Sequence, residues 1–355
     1  MLLERNEPLP GEPADDDLWP TNDTEPVEAT PDRARHDRAV DGAAFVADES
    51  AEIAAVWGSG QQVLWAEGEG LMVVGPDGVG KTSLVQQLVR ARLGLADELL
   101  GFPVAPTARK VLMIAADRPR QSARSFRRMT SDEDLEILRD RLVVWRGPLP
   151  FDVTAEPSRL AEFTKGYGAD TLVTDSLKDV ALDLSKDEIG GRVNLACQEV
   201  IAEGIELGVI HHQRKETSGG GKPKHLADVY GSRWLTAGMG SVILLWGEAG
   251  DLVVELNHLK QPAEEVGPLD LVHDHRTGTT IVRERPTVES LLAQASFGLT
   301  VSDTARLYFG TEGKPTANQI EKVRRRLEAL IEKGDAERRD DPDGLARYFT
   351  RNLVA

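Results

Sequence analysis

Gly75, Pro76, Asp77, Gly78, Val79, Gly80, Lys81 and Thr82 fit the spacing G-x-x-x-x-G-K-[ST] without a mismatch. Glycines at these places let successive backbone N–H groups turn toward one anion, and the N-terminus of a following helix adds its positive end. An amine at Lys81 is placed to reach the β- and γ-phosphates of a nucleotide. A hydroxyl at Thr82 is a hard oxygen ligand suited to Mg²⁺. Ser83, next in the chain, closes the cradle. The ligand that this chemistry fits is ATP with Mg²⁺.

Hydrolysis needs further groups. Asp175 follows the apolar run Thr171 to Thr174, so it stands at a strand end, where a carboxylate can steady a metal ion and its waters. Asp117 follows the run Lys110 to Ala116 and is the candidate for polarising the attacking water; the alternative is a cap for the helix that begins near Pro119. His212, in His211-His212-Gln213-Arg214-Lys215, ends another run and is placed to sense a terminal phosphate. Adjacent histidines on a strand point to opposite faces, which argues against a zinc pair. Arg233, in Tyr230-Gly231-Ser232-Arg233-Trp234, is a candidate finger toward the γ-phosphate of a neighbouring subunit, with Arg214 and Lys215 as rivals. The loop from Thr217 to Lys224 carries three glycines and two lysines; it reads as a nucleotide-dependent grip on a DNA backbone or as a plain solvated loop.

The elements that must hold these groups come from the apolar patterning. Leu71 to Val74 reads as a buried strand before the glycine loop, and Ser83 to Leu93 as the helix after it. Glu49 to Trp57 reads as a short helix and Gln62 to Trp65 as a strand. Further runs at 110–115, 142–145, 171–174, 208–210 and 241–246 are continuously apolar, the mark of strands buried on both faces. Helical segments at 120–129, 157–167 and 188–206 separate the early ones. The expected fold class is α/β, a mainly parallel sheet with helices on both faces. The runs at 241–246, 252–256, 269–273 and 279–283 lack helices between them and read as antiparallel edge strands.

Composition sets the outer limits. The chain has 355 residues and a net charge of −17. Residues 1–50 alone hold 14 Asp/Glu against four Arg, and residues 301–355 hold 11 Lys/Arg against 10 Asp/Glu. The acidic, Pro-rich head, residues 1–42, is expected to be disordered. Cys197 is the only cysteine, which excludes an internal disulfide and fits a cytoplasmic protein. There is no basic-then-apolar leader and no run long enough to span a membrane, so no membrane partner is expected.

From Pro286 the pattern changes. Helices at 288–295, 302–309 and 315–333 precede two strands, 336–339 and 345–350, joined by Asp341-Pro342-Asp343-Gly344. Three helices and a hairpin form a winged-helix pattern. Lys322, Arg324, Arg325 and Arg326 on its third helix suit phosphate contacts; the other reading is a dimerisation or docking domain with a solvated basic helix. The expected organisation is therefore 1–42, an ATPase domain at 43–285, and a winged-helix-like domain at 286–355.

Over about residues 45–285 the motif order resembles the RecA-like ATPases, in particular the KaiC/DnaB-related branch that includes RepA-type replicative helicases of plasmids. Val111 to Pro119 looks like that branch's second-strand motif, with Asp117 where the branch carries Glu. Leu172 to Asp175 looks like its Walker B, and His211 to Lys215 its His-His-x-x-Lys sensor. Tyr230 to Arg233 stands near its Arg-Gly-Ser finger, with the arginine on the other side of Gly-Ser. The resemblance implies a homo-oligomer, commonly a hexamer, with ATP at subunit interfaces and single-stranded DNA in a central channel. It also implies a replicative helicase or helicase-like ATPase of a plasmid, phage or bacterial system, with a primase or other replication protein as partner. The alternative is a nucleotide-switched regulator whose winged helix reads duplex DNA.

Overall fold

The structure is a computed structural model. It describes residues 39–47, 52–213, 223, 225–283, 286–311, 313–340 and 345–351. The expected disorder of residues 1–42 falls almost wholly outside these residues, as do Arg214, Lys215, nearly all of the 217–224 loop and the 341–344 turn. The chain divides into two compact units, residues 1–282 and 283–355.

In chain order the first unit opens with α1 (Gly42–Ala47), β1 (Ala55–Ser59), β2 (Gln62–Ala66), β3 (Gly70–Gly75) and α2 (Lys81–Arg92). A two-residue hairpin, β4 (Glu98–Leu99) and β5 (Phe102–Pro103), leads to β6 (Lys110–Ala115), α3 (Pro119–Arg128), α4 (Leu135–Arg141) and β7 (Leu142–Arg146). Then come α5 (Arg159–Gly166), β8 (Ala169–Asp175), α6 (Asp187–Ala202), β9 (Glu206–His212) and the short α7 (Trp234–Ala237). The unit closes with β10 (Met239–Trp246), β11 (Val253–Lys260), β12 (Leu269–Asp274) and β13 (Thr279–Val282).

Nine strands form one sheet in the order β13-β12-β11-β10-β3-β9-β8-β6-β7. From β10 to β7 every pair is parallel, and β11 to β13 are antiparallel additions at one edge. This is the expected α/β class, a mainly parallel sheet with helices on both faces and antiparallel edge strands. The run at 241–246, expected among the antiparallel edge strands, is instead β10, parallel to β3 and buried on both faces within the sheet. Alternate residues explain the unbroken apolar runs. Leu71 and Val73 face the side where Leu84, Val85 and Leu88 of α2 pack. Met72 and Val74 face the side where Phe163, Val193 and Val200 pack from α5 and α6. Fully burying each such side chain contributes ~1.5–3 kcal/mol, so a strand with two covered faces tolerates no polar face.

The helix expected over Glu49 to Trp57 is not formed where the structure describes it. Ala55 to Ser59 is β1, paired antiparallel with β2 so that Trp57 lies opposite Trp65, both fully buried. The Trp57 indole donates to the Leu99 carbonyl at 3.0 Å. Cross-strand burial of two tryptophans outweighs the local helical spacing. The helix α4 and the β4–β5 hairpin were not legible in the sequence pattern.

A buried charged cluster lies at the sheet edge where β8 and β9 begin. Arg92 at the end of α2 donates to Thr171 at 3.0 Å, and Thr107 donates to Asp170 at 2.6 Å. Glu206 accepts from the Gly68 N–H at 3.2 Å. Burial pushes the Glu206 carboxyl up to about 7, with Glu67 and Asp170 adding to the rise and Gly68 and Arg92 opposing it. A carboxyl raised above its unfolded value weakens folding as pH climbs from about 4.5 to 7, because the folded chain holds the proton more tightly. Glu206→Gln copies the protonated form. Its Tm relative to the wild type should therefore rise between pH 5 and pH 8, by about 1–2 °C, the shift that ~1 kcal/mol produces at this size. A constant difference across that range, read by thermal denaturation, would show that Glu206 does not titrate there.

The second unit contains α8 (Val288–Gln294), α9 (Val301–Phe309), α10 (Ala317–Lys333), β14 (Ala336–Asp340) and β15 (Ala346–Thr350), the last two an antiparallel pair. Each helix starts on a threonine cap: Thr287, Thr300 and Thr316 accept from Ser290, Asp303 and Gln319 N–H groups. Val288, Leu292, Ala305, Val323, Leu327 and Tyr348 form its core.

Candidate functional site

The register of the parallel strands assembles the site. Gly75 at the end of β3 lies opposite His212 on β9, and Asp175 at the end of β8 lies opposite Ile210. Ala115 of β6 lies opposite Asp175, so the chain leaving β6 carries Asp117 to the same edge. In open α/β sheets this carboxyl edge, where strand order reverses, is where ligands bind. Asp77, Gly78, Gly80, Lys81, Thr82, Ser83, Asp117, Asp175 and His212 all line one cavity of about 630 Å³.

Inside it the groups meet at bonding distance. The Thr82 hydroxyl donates to Asp175 Oδ2 at 2.8 Å. Lys81 Nζ, buried, donates to the carbonyls of Gly75 at 2.9 Å and Pro76 at 2.6 Å. His212 Nδ1 lies 2.8 Å from Asp77 Oδ1, and its Nε2 lies 3.4 Å from the Ser176 hydroxyl, which donates to Asp179 at 2.6 Å. Ser83 Oγ is 3.3 Å from Ser125 Oγ on α3. Val79 is buried under the loop, and its carbonyl is 3.0 Å from His273 Nε2.

Burial sets the electrostatics. It lowers the Lys81 amine to about 8 against the pull of Asp77 and Asp175. It raises the Asp175 carboxyl, with Asp117 and Asp179 adding to the rise and Thr82 and Lys81 opposing it. A raised carboxylate beside a hydroxyl has unmet demand for positive charge. A hard oxygen pair of this kind fits Mg²⁺. His212 is lowered by burial and by Lys81 and Lys178, with Asp77 opposing. The buried His211 is lowered to about 4 by burial, and its Nε2 lies 2.8 Å from the Tyr230 carbonyl.

The loop is shaped for close approach. Gly80 has φ +90°, and a Cβ there would come within 2.5 Å of the His273 ring. We expect Gly80→Ala to weaken ATP binding at least about tenfold, equivalent to ~1.4 kcal/mol, by calorimetry. Gly60→Ala is the control, since Gly60 also has positive φ but nothing lies within 4 Å of its added Cβ. Equal losses in both variants would remove any special role from the loop geometry.

Asp117 lies at the cavity wall with its side chain 41% exposed, 3.7 Å from Arg118. Arg233 does not line this cavity. It stands just before α7 and borders a separate pocket with Leu226, Val229 and Thr236. Of the basic cluster on α10, Arg324 and Arg325 pair with Glu321, and Arg326 lies over the Tyr308 ring. Sequence reasoning missed Lys178, His273 and the arginine wall of Arg118, Arg124 and Arg128. The i, i+4 spacing of Arg124 and Arg128 was a usable signal for one basic helix face. Nothing local marks His273, which arrives from β12.

The family comparison agrees with the loop and sheet. Residues 35–218, just over half of the chain, match the AAA domain family. A search of curated proteins finds no match. Among solved structures, a KaiC-like protein from the hyperthermophilic archaeon Pyrococcus horikoshii is similar at 15% identity and a TM-score of 0.43, over 62% of this chain and 91% of that one. With its phosphate loop, metal-suited Thr82–Asp175 pair and parallel sheet, the chain belongs to the AAA domain family and is a P-loop ATPase.

Proposed function

We propose that the protein is a Mg²⁺-dependent, homo-oligomeric RecA-like ATPase acting on DNA, a replicative helicase or helicase-like motor of a plasmid, phage or bacterial system. The observation that carries the ATPase part is the 2.8 Å contact between Thr82 and Asp175 at the mouth of the loop that holds Lys81. In this reading Gly75 to Ser83 wrap the phosphates and Lys81 shifts from two carbonyls to phosphate oxygens. Thr82 and Asp175 are the residues that would hold magnesium, which would supply positive charge against the phosphates. Asp117 orients the attacking water, and His212 contacts the terminal phosphate. Arg233 acts toward a neighbouring subunit's site, as its place outside its own cavity suits, with Arg214 and Lys215 the rivals.

The DNA part rests on the resemblance and on the second unit. In the proposed organisation an acidic segment, 1–42, precedes the ATPase domain, 43–285, and a winged-helix-like domain, 286–355, adds a duplex or partner contact, for example to a primase. A cytoplasmic setting fits both. The test is ATP turnover with and without single-stranded DNA over a range of salt. Stimulation that disappears in Lys81→Ala supports the motor; turnover indifferent to DNA sinks it.

One observation favours a second reading, a nucleotide-switched DNA-binding regulator. Asp117 is short, half exposed and turned toward Arg118, which suits slow hydrolysis. Strand displacement separates the two. A motor unwinds only with hydrolysable ATP, whereas a switch binds duplex DNA with a non-hydrolysable analogue and unwinds nothing.

A further inference from the structure

Asp77 is an acid inside a loop built to surround anions. Its carboxylate accepts from His212 Nδ1 at 2.8 Å, across the mouth of the cradle from Ser176, which lies 3.4 Å from the other ring nitrogen. His212 therefore already has an anionic partner supplied by the chain. The Asp77 side chain is 77% exposed, and the residue after it, Gly78, has φ +80°, a left-handed turn residue packed against Ala249. With the acid this exposed and His212 held toward its neutral form by burial, the contact is a hydrogen bond of modest worth, which a better anion can replace. The β-phosphate belongs to the base of such a loop near Lys81, and only a third phosphate extends on toward the strand-end sensor.

We propose that Asp77 is a specificity residue of the cradle: its carboxylate competes with the γ-phosphate for His212, so that triphosphate, but not diphosphate, must displace it. The inference rests on the ATPase reading above. Asp77 thereby selectively weakens triphosphate binding. It narrows the gap between ATP and ADP and couples occupancy of the third phosphate position to release of the loop acid from β9. His212 is free to bond the terminal phosphate only once Asp77 has turned outward.

The test is calorimetry on the full chain with magnesium, titrating ADP and β,γ-imido-ATP into wild type, Asp77→Asn, His212→Gln and the double variant. Asp77→Asn keeps the shape and removes the charge. It should tighten the triphosphate analogue about fivefold and change ADP by less than about twofold. In the His212→Gln background the gain should shrink to within about twofold, because the competition has lost its object. Asp77→Ser, lacking both charge and reach, should repeat the Asp77→Asn result. The proposal is overturned if both nucleotides tighten equally, if the triphosphate binds more weakly, or if the gain persists undiminished without His212. Ordinary ATP binding that Asp77→Asn leaves unchanged overturns this proposal alone, whereas no binding of either nucleotide by folded wild type overturns the ATPase reading with it.

Discussion

Lys81→Ala is expected to lower ATP turnover by on the order of a thousandfold. The lysine is the cation held at the base of the loop, and its buried amine is fixed there by the Gly75 and Pro76 carbonyls. Losing one preorganised donor to developing charge typically costs ~10²–10³ in rate, and here a full positive charge goes with it. Nucleotide affinity should fall as well, because charge-assisted bonds to phosphate are worth about 1.5–3 kcal/mol each. Folding should survive. Burial already lowers the amine to about 8, so removing it relieves a desolvation cost. Phosphate release and a melting curve check both halves. Turnover within about tenfold of wild type in a folded variant would take Lys81 out of the chemistry.

Asp175→Asn should separate binding from hydrolysis. The amide oxygen can still accept from the Thr82 hydroxyl, so the site keeps its shape. The charge that would steady the metal is gone, and turnover should drop by ~10²–10³ with a much flatter dependence on Mg²⁺ concentration. Stability should not drop. Burial, Asp117 and Asp179 all disfavour the carboxylate, so replacing it with a neutral isostere removes strain built into the site. A variant less stable than wild type yet fully active would reverse the assignment, making Asp175 a structural residue.

The parts of this protein that were legible in the sequence are those whose signal is local. The apolar strands, and the places of the glycine loop and Asp175 at the ends of two of them, could be read because a buried parallel strand must be apolar throughout, and the chain turns polar where it leaves the sheet. The edge strands β11 to β13 were visible as runs without intervening helices. The misread element, β1, depends on Trp57 meeting Trp65 and Leu99, contacts that no local spacing reports. The same limit applies within the site. Thr82 and Asp175 are 93 positions apart, yet each carries its own motif. His273 carries none, although its ring packs on Gly80 and its Nε2 reaches the Val79 carbonyl. Asp77 was legible as a loop residue but not as the partner of His212, because that pairing arises from strand order rather than spacing.

Equilibrium dialysis of the intact chain against a non-hydrolysable ATP analogue, with magnesium and then with a chelator, bears most directly on the cradle. One saturable site per chain, weakened when magnesium is withdrawn and again in Asp175→Asn, is the expected result. No saturable uptake by folded protein, or uptake indifferent both to the metal and to Asp175, would contradict it.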